Sequence, residues 1–166
     1  MSVHCFGRLT SDLARQLESV PKTANLYYPC LATLDDGAIL DCVYLADADD
    51  WHSYWGVWPD EDPGKQSIAV ERVAKVHDSP SRLPAWAANE LYEAGESGMG
   101  YTIFTLCFAD GSTRAYGADN AIDFVRYPIG QSATTLVQIL PHVGRDQEPQ
   151  KCPDYVWCLY SSKRLT

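Results

Sequence analysis

The stretch Cys30-Leu-Ala-Thr-Leu-Asp-Asp-Gly-Ala-Ile-Leu-Asp-Cys-Val-Tyr-Leu45 indicates how this chain folds. Two apolar runs, Cys30–Leu34 and Ile39–Leu45, lie on either side of an Asp-Gly turn, which is the pattern of a β-hairpin. The second run is apolar on both faces except at Asp41, so we expect it to lie centrally in its sheet. The hairpin therefore predicts a β-rich fold in which Ile39–Leu45 is a central strand.

The β pattern continues after this hairpin as far as a Ser-Pro-rich stretch near residue 80. The predicted strands are His52–Trp58, ended by Pro59, and then Ser67–Val70 and Val73–Val76. Several short strands within about fifty residues favour a meander. Its simplest closure is a small SH3-like barrel or a bent antiparallel sheet.

Two segments have the pattern of amphipathic helices. The first, Thr10–Val20, is ended by Pro21. The second, Ala85–Ala94, has Ser81 as its predicted cap and Gly95 just beyond its end. The sequence thus predicts an N-terminal helix and a helix that links two β units.

A second β unit follows the linking helix. Its predicted strands are Tyr101–Phe108, Thr113–Tyr116, Ala121–Tyr127, Thr134–Leu140 and the closing strand Tyr155–Tyr160. Its first turn, at Asp110-Gly111, resembles the one at Asp36-Gly37 and constitutes a weak repeat.

These segments together predict an α+β, mainly β protein that forms a single compact domain over residues 1–166. Its parts are an N-terminal helix (1–25), a first β meander (26–80), a linking helix (81–95) and a second antiparallel β unit (96–166). At 166 residues, 46% of them hydrophobic, the chain is long enough to bury a core without disulfides.

The charge is distributed very unevenly. The segment Asp35–Asp62, here called the acidic-aromatic segment, contains nine carboxylates, three tryptophans and no lysine or arginine. The formal net charge of the whole chain is −9, so the rest of the sequence is neutral overall. Carboxylates steer a cationic partner and indole rings supply contact area, so this combination suits a surface that binds a basic protein.

We therefore expect a non-enzymatic protein-binding module, of which an inhibitor or immunity-type protein that blocks a basic nuclease is one example. The predicted partner-binding residues are Asp47, Asp49, Asp50, Trp51, Trp55, Trp58, Asp60, Glu61 and Asp62. The competing interpretation assigns the tryptophans to the core and the carboxylates to a solvated surface. A third possibility is a structural module of an assembly, and the sequence does not indicate an oligomeric state.

Composition also argues against several partners and locations. A pI near 4.7 disfavours binding to nucleic acid or to anionic membranes, which both select basic surfaces. No apolar run is long enough for a membrane span, and the N-terminal residues lack the pattern of a signal peptide. The six cysteines lie in or beside apolar runs, which favours reduced thiols in the cytoplasm.

The glycine-rich loop Gly95–Gly100 is the main candidate for an enzyme site. It fits neither a nucleophile elbow nor a dinucleotide-binding loop, because here a helix precedes a strand and the glycine spacing differs. The predicted role of the glycines is to end the helix and reverse the chain. The alternative is a ligand-contacting loop in a small hydrolase or ligand-binding enzyme, with Glu96, Ser97, Tyr101 and His77 near a cleft between the two β units.

Metal ligands are not indicated. Structural zinc takes closely spaced ligand pairs, and neither Cys-x-x-Cys nor His-x-x-x-His occurs in the sequence. The acidic run from Asp47 resembles the start of a calcium loop but has His52 at the sixth position and Trp58 at the twelfth. The sequence therefore predicts no catalytic residues, no metal and no cofactor.

Overall fold

The computed structural model describes residues 4–162 and has an α+β fold with more strand than helix. Helices α1, α2 and α3 are Ser11–Leu17, Ala48–Trp55 and Ala85–Ala94. Strands β1 to β8 are Tyr28–Leu34, Ile39–Asp47, Val73–His77, Thr102–Phe108, Thr113–Ala118, Leu136–Pro141, Gln150–Lys151 and Val156–Tyr160. The predicted fold class is confirmed. The SH3-like closure is not, because the described residues form two open, mixed four-stranded sheets and no closed barrel.

The chain divides into two compact units, and the single domain expected from the sequence stays a prediction. The first comprises Met1–Ser79 and Tyr155–Thr166, and the second comprises Pro80–Asp154. The closing strand β8 belongs to the first unit and not to the predicted second β unit, because it pairs in parallel with β2. A sequence pattern identifies a strand but carries no information about its distant partner.

Both units have the same topology. The strand order is β3-β1-β2-β8 in the first sheet and β6-β4-β5-β7 in the second. In each unit the first two strands form an antiparallel hairpin, the third strand pairs antiparallel with the first, and the fourth pairs parallel with the second. The preceding helix packs on the third strand in both cases, α1 on β3 and α3 on β6. The parallel edge strand corrects the prediction of purely antiparallel sheets.

The correspondence extends to single hydrogen bonds. Asp36 Oδ1 accepts the N–H of Ala38 at 2.9 Å, and Asp110 Oδ1 accepts the N–H of Ser112 at 2.9 Å. The glycine after each aspartate has a φ of +85° or +87°, in the left-handed region that glycine tolerates. The pairing register also shifts at the same place in both units. The shift precedes Leu34, the last residue of β1, where β1 pairs with β3, and Phe108, the last residue of β4, where β4 pairs with β6. The weak sequence repeat thus coincides with a repeated structural unit.

The first sheet is covered on both faces, as expected for a central apolar strand such as β2. Alternate residues of a strand point to opposite faces. Val43 and Leu45 pack with Leu13 and Leu17 of α1. Tyr44, between them in sequence, faces the aromatic side chains near α2, with its ring centroid 4.9 Å from that of Trp157. Helix α2 therefore covers the second face of this sheet.

Helix α2 replaces the strand predicted over His52–Trp58. Asp47 caps the helix, since its Oδ1 accepts the N–H of Asp50 at 3.0 Å. The helix ends at Gly56, whose φ of +79° and N–H bond to the carbonyl of His52 form a left-handed C-cap. The cap, the acidic first turn and the glycine are all visible in the sequence, but the aromatic content favoured a strand.

Three smaller predictions are also corrected. Ser67–Val70 forms only an isolated bridge, between Ser67 and Trp157, before a 3-10 turn begins. Ala121–Tyr127 is irregular apart from a bridge between Phe124 and Arg82. The N-cap position of α3 is Pro84 rather than Ser81, and no side chain caps it.

Candidate functional site

The acidic-aromatic segment separates into a buried aromatic part and an exposed acidic part. Trp51 is completely buried and stacks on Trp55, with ring centroids 5.6 Å apart. Both rings contact Trp157, at 5.2 and 5.3 Å between centroids. Trp51 therefore belongs to the core and has no surface with which to contact a partner, although it was predicted as a partner-binding residue.

One exposed group of this segment lies on the outer face of α2, formed by Asp49, Asp50, Ser53 and Tyr54. Tyr54 is 62% exposed, and its ring lies edge-on against that of Trp55 at 5.9 Å. Val57, just after the helix, is 40% exposed. Tyr54 is the most exposed aromatic side chain of the segment. It was not among the predicted binding residues, and the helix places it on a different face from the buried Trp51.

The 3-10 turn Pro59–Glu61 carries the second group of exposed carboxylates. His4 Nε2 lies 3.0 Å from Asp60 Oδ1 and 4.0 Å from Glu61 Oε1. Trp58 stacks with the imidazole rings of His4 at 4.9 Å and His52 at 4.1 Å. The turn is thus attached to the N-terminal segment and to α2 by aromatic contacts, with both carboxylates still exposed.

His4, Asp60 and Glu61 are also the residues of this site that could hold a metal ion. The ligand atoms of His4, Asp60 and Glu61 lie within 4.8 Å of one another. Imidazole with carboxylates suits a divalent transition metal. Asp60 already contacts the imidazole, and both carboxylates face solvent, so the geometry is equally that of a surface hydrogen bond.

Asp62, which follows the 3-10 turn, contacts a cation of this chain. Its Oδ2 accepts a hydrogen bond from Lys65 Nζ at 2.6 Å, and its Oδ1 accepts the N–H of Gly64 at 3.0 Å. The hydrogen bond from Lys65, and then that from Gly64, hold the pKa of Asp62 below its usual range. The Lys65 ammonium also lies 4.7 Å from the centroid of the Trp55 ring. Asp62, Lys65 and Trp55 therefore form one electrostatic unit.

Asp47 has a structural role at the start of α2. Burial alone would raise the pKa of its carboxyl group, but hydrogen bonds from the Ser162 hydroxyl and from the N–H groups of Asp50, Ser162 and Asp49 outweigh it and lower the pKa. The carboxylate thereby connects the helix start to residues that follow β8. This predicted partner-binding residue is occupied by intramolecular contacts.

We expect the substitution Asp47→Ala to lower the free energy of unfolding by about 1–2 kcal/mol at pH 7, the usual cost of losing such a cap. Because the folded-state pKa is depressed, the charged form stabilises the fold above the unfolded pKa of about 3.9, and this contribution is lost as pH falls through the folded pKa. Urea unfolding at pH 7 and at pH 3 measures both values. Asp47→Asn, which keeps an acceptor, is the control and should lose less. An equal loss from Asp47→Ala at both pH values would contradict a role for the charge.

The glycine-rich loop of the second unit brings Ser97 and Tyr101 together with His142, one of the histidines that the sequence offers as a base, and with Arg145, which was not predicted. Ser97 Oγ lies 2.8 Å from His142 Nδ1, and Arg145 Nη1 donates to the Tyr101 hydroxyl at 2.6 Å. The guanidinium also lies 5.4 Å from the centre of the Tyr101 ring. Glu96 accepts the N–H of Gly100 at 3.3 Å.

His142 rather than His77 is the histidine beside Ser97 in this loop. His77 belongs to the first unit, where its Nε2 lies 3.1 Å from Thr33 Oγ1. Ser97 Oγ accepts the N–H of Ile103 at 2.8 Å, and His142 Nε2 lies 3.2 Å from the carbonyl oxygen of Ala94. These contacts attach the loop to the start of β4 and to the end of α3, which explains the pair without catalysis.

Most of the cysteine side chains are buried or half-buried. Cys30, Cys42 and Cys158 are buried, Cys107 and Cys152 are half-buried, and Cys5 is exposed. Burial, and then the charge of Glu71, raises the pKa of the Cys158 thiol to about 12. A buried thiol with a raised pKa is a poor nucleophile. None of the helices in residues 4–162 is long and apolar enough to cross a membrane.

Comparisons of the chain with protein-family models, curated proteins and solved structures find no match.

Proposed function

We propose that this protein is a non-enzymatic binding module that engages a basic protein through the outer face of α2 and the neighbouring carboxylates of the 3-10 turn. The observation that carries the proposal is the exposure of Tyr54 beside Asp49 and Asp50 on a single helical face. An exposed aromatic side chain supplies contact area, and carboxylates that surround it favour a cationic partner. An inhibitor or immunity-type protein that blocks a basic enzyme is one member of this class.

Comparison of the two units supports a dedicated role for α2. Both units connect their second and third core strands by a long segment, residues 48–72 in the first and 119–135 in the second. Only the first of these segments contains an α-helix. The shared four-stranded topology is therefore built in the second unit without such a helix, so the acidic helix is an addition to the common fold.

The buried thiols favour a cytoplasmic setting for this function. Buried, reduced cysteines such as Cys30, Cys42 and Cys158 are typical of a reducing compartment. Six free thiols in the denatured protein are expected, and the partner would then be a cytoplasmic or imported basic protein.

The proposal can be tested by capture and then by kinetics. The wild-type protein and a variant carrying Asp49→Asn and Asp50→Asn are immobilised at low salt, and captured proteins are compared by quantitative mass spectrometry. Glu90→Gln with Glu93→Gln is the matched control, because it removes two exposed carboxylates from α3 in the second unit. A basic protein captured by the wild type and by this control, but lost with the α2 variant, is the expected partner.

With that partner purified, the α2 charge variant should associate more slowly and with a flatter salt dependence, because steering acts over about 8 Å at physiological salt. Tyr54→Ala should instead accelerate dissociation and weaken binding by about 2 kcal/mol, or roughly thirtyfold, as expected for a central aromatic anchor. Surface plasmon resonance separates the two rates. If both variants keep the wild-type constants, the outer face of α2 is only a solvated surface.

A second candidate, a small hydrolase, is favoured by the 2.8 Å contact between Ser97 Oγ and His142 Nδ1. It is the weaker proposal because the same hydroxyl accepts the N–H of Ile103 and contacts its carbonyl at 3.2 Å. Covalent labelling of Ser97 by a fluorophosphonate, detected by mass spectrometry, would favour the hydrolase. An unchanged mass is expected.

A further inference from the structure

Lys65 is the first cation that follows the acidic-aromatic segment in sequence, and the structure places its ammonium group on that segment. The side chain is only 15% exposed. Its Nζ donates to Asp62 Oδ2 at 2.6 Å and lies 4.7 Å from the centre of the Trp55 ring. A carboxylate and an indole face that share one ammonium are the two groups that recognise a lysine side chain.

Both recognising groups are held in place by contacts that do not involve Lys65. Trp55 donates from Nε1 to the Tyr27 hydroxyl at 2.9 Å, and its ring stacks on Trp51. Asp62 is oriented by the N–H of Gly64, which binds its other oxygen at 3.0 Å. The arrangement is therefore preorganised, which reduces the cost of binding an external cation.

We propose that Trp55 and Asp62 form a subsite for a lysine side chain of the basic partner, and that Lys65 occupies this subsite until the partner displaces it. The exchange replaces one ammonium by another on the same two groups, and Lys65 regains its side-chain freedom when it is released, which offsets part of the cost of breaking its contacts. The inference rests on the proposed function, because it supplies a second contact for the partner that binds α2.

The experiment uses the full chain and a hexalysine peptide as the probe. Lys65→Met keeps an apolar side chain but removes the ammonium, and we expect it to bind the peptide about fivefold more tightly than the wild type. The indole N–H resonance of Trp55, identified with Trp55→Phe, should shift as the peptide is added to the variant. Isothermal titration calorimetry gives the dissociation constants, and Lys65→Gln provides a second variant without the ammonium.

Lys75→Met is the matched control, because it removes the same charge from an exposed position on β3 of the same unit. A gain confined to the Lys65 variants, and abolished by adding Asp62→Asn, supports the subsite. Equal gains from Lys65→Met and Lys75→Met, or a Trp55 resonance that does not move, would overturn it by showing a net-charge effect alone. Asp49→Asn with Asp50→Asn tests the proposed function separately, since it weakens the partner's binding while leaving the ratio between Lys65→Met and wild type unchanged.

Discussion

Replacing Trp157 with alanine is expected to lower the free energy of unfolding by about 3–5 kcal/mol, the range typical of removing a large buried aromatic side chain. Trp157 is completely buried. Its ring lies within 5.5 Å, between centroids, of Tyr27, Tyr44, Trp51 and Trp55. The variant loses the free energy gained by removing the indole from water. It also leaves a cavity, because the rigid aromatic neighbours cannot move to fill it. Urea unfolding followed by far-UV circular dichroism measures it.

Trp86→Ala provides the control, because Trp86 is 49% exposed on α3 and should cost far less. Hydrogen exchange on the Trp157 variant should show its greatest acceleration at the amides of β1 and β2, which belong to the sheet that β8 completes. If the two tryptophan variants were equally stable, the assignment of β8 to the core of the first unit would be wrong.

Replacing Gly144 with alanine is expected to cost about 3 kcal/mol of stability, through backbone strain and overpacking together. Gly144 has a φ of +113°, and a Cβ there would lie 2.6 Å from Thr105 Oγ1 and 2.7 Å from Ala115 Cβ. Thr105 also donates to the carbonyl of Val143 at 2.7 Å, so it cannot move away without losing this hydrogen bond. Thermal and urea unfolding both measure the change.

Gly130→Ala separates the two causes. Gly130 has a φ of +85°, but a Cβ added there would meet no atom within 4 Å, so only the backbone strain of about 1 kcal/mol remains. A Gly144 variant no less stable than the Gly130 variant would show that the neighbours of Gly144 yield readily.

Local signals in the sequence predict the hairpins and α3 well. The Asp-Gly turns at Asp36 and Asp110 fix both hairpins because the aspartate side chain and the glycine backbone act within a few residues. Strand partners are different, since nothing near Val156 in sequence specifies β2 rather than the second sheet. The parallel strands at both sheet edges are therefore visible only in the structure.

The sequence predicts the negative charge of the candidate site, but not which of its aromatic side chains face solvent. The absence of lysine and arginine from Asp35–Asp62 is a property of composition and needs no structure. Which aromatic residue faces solvent depends on whether the segment is a strand or a helix. In the helix Trp51 and Trp55 lie one turn apart on the buried side, and Tyr54 becomes the exposed residue. Contacts such as Lys65 with Trp55, or Ser97 with His142, follow from tertiary packing alone.

The way in which the second unit interrupts the first has a consequence for biosynthesis. A ribosome makes Pro80–Asp154 in full before it makes β8. The second unit, although it begins later in the chain, therefore has all its strands before the first unit does. Until then β2 has an open edge beside an apolar face, and such edges invite pairing with other chains. Each newly made molecule is thus most prone to aggregate in the interval between the synthesis of β3 and that of β8.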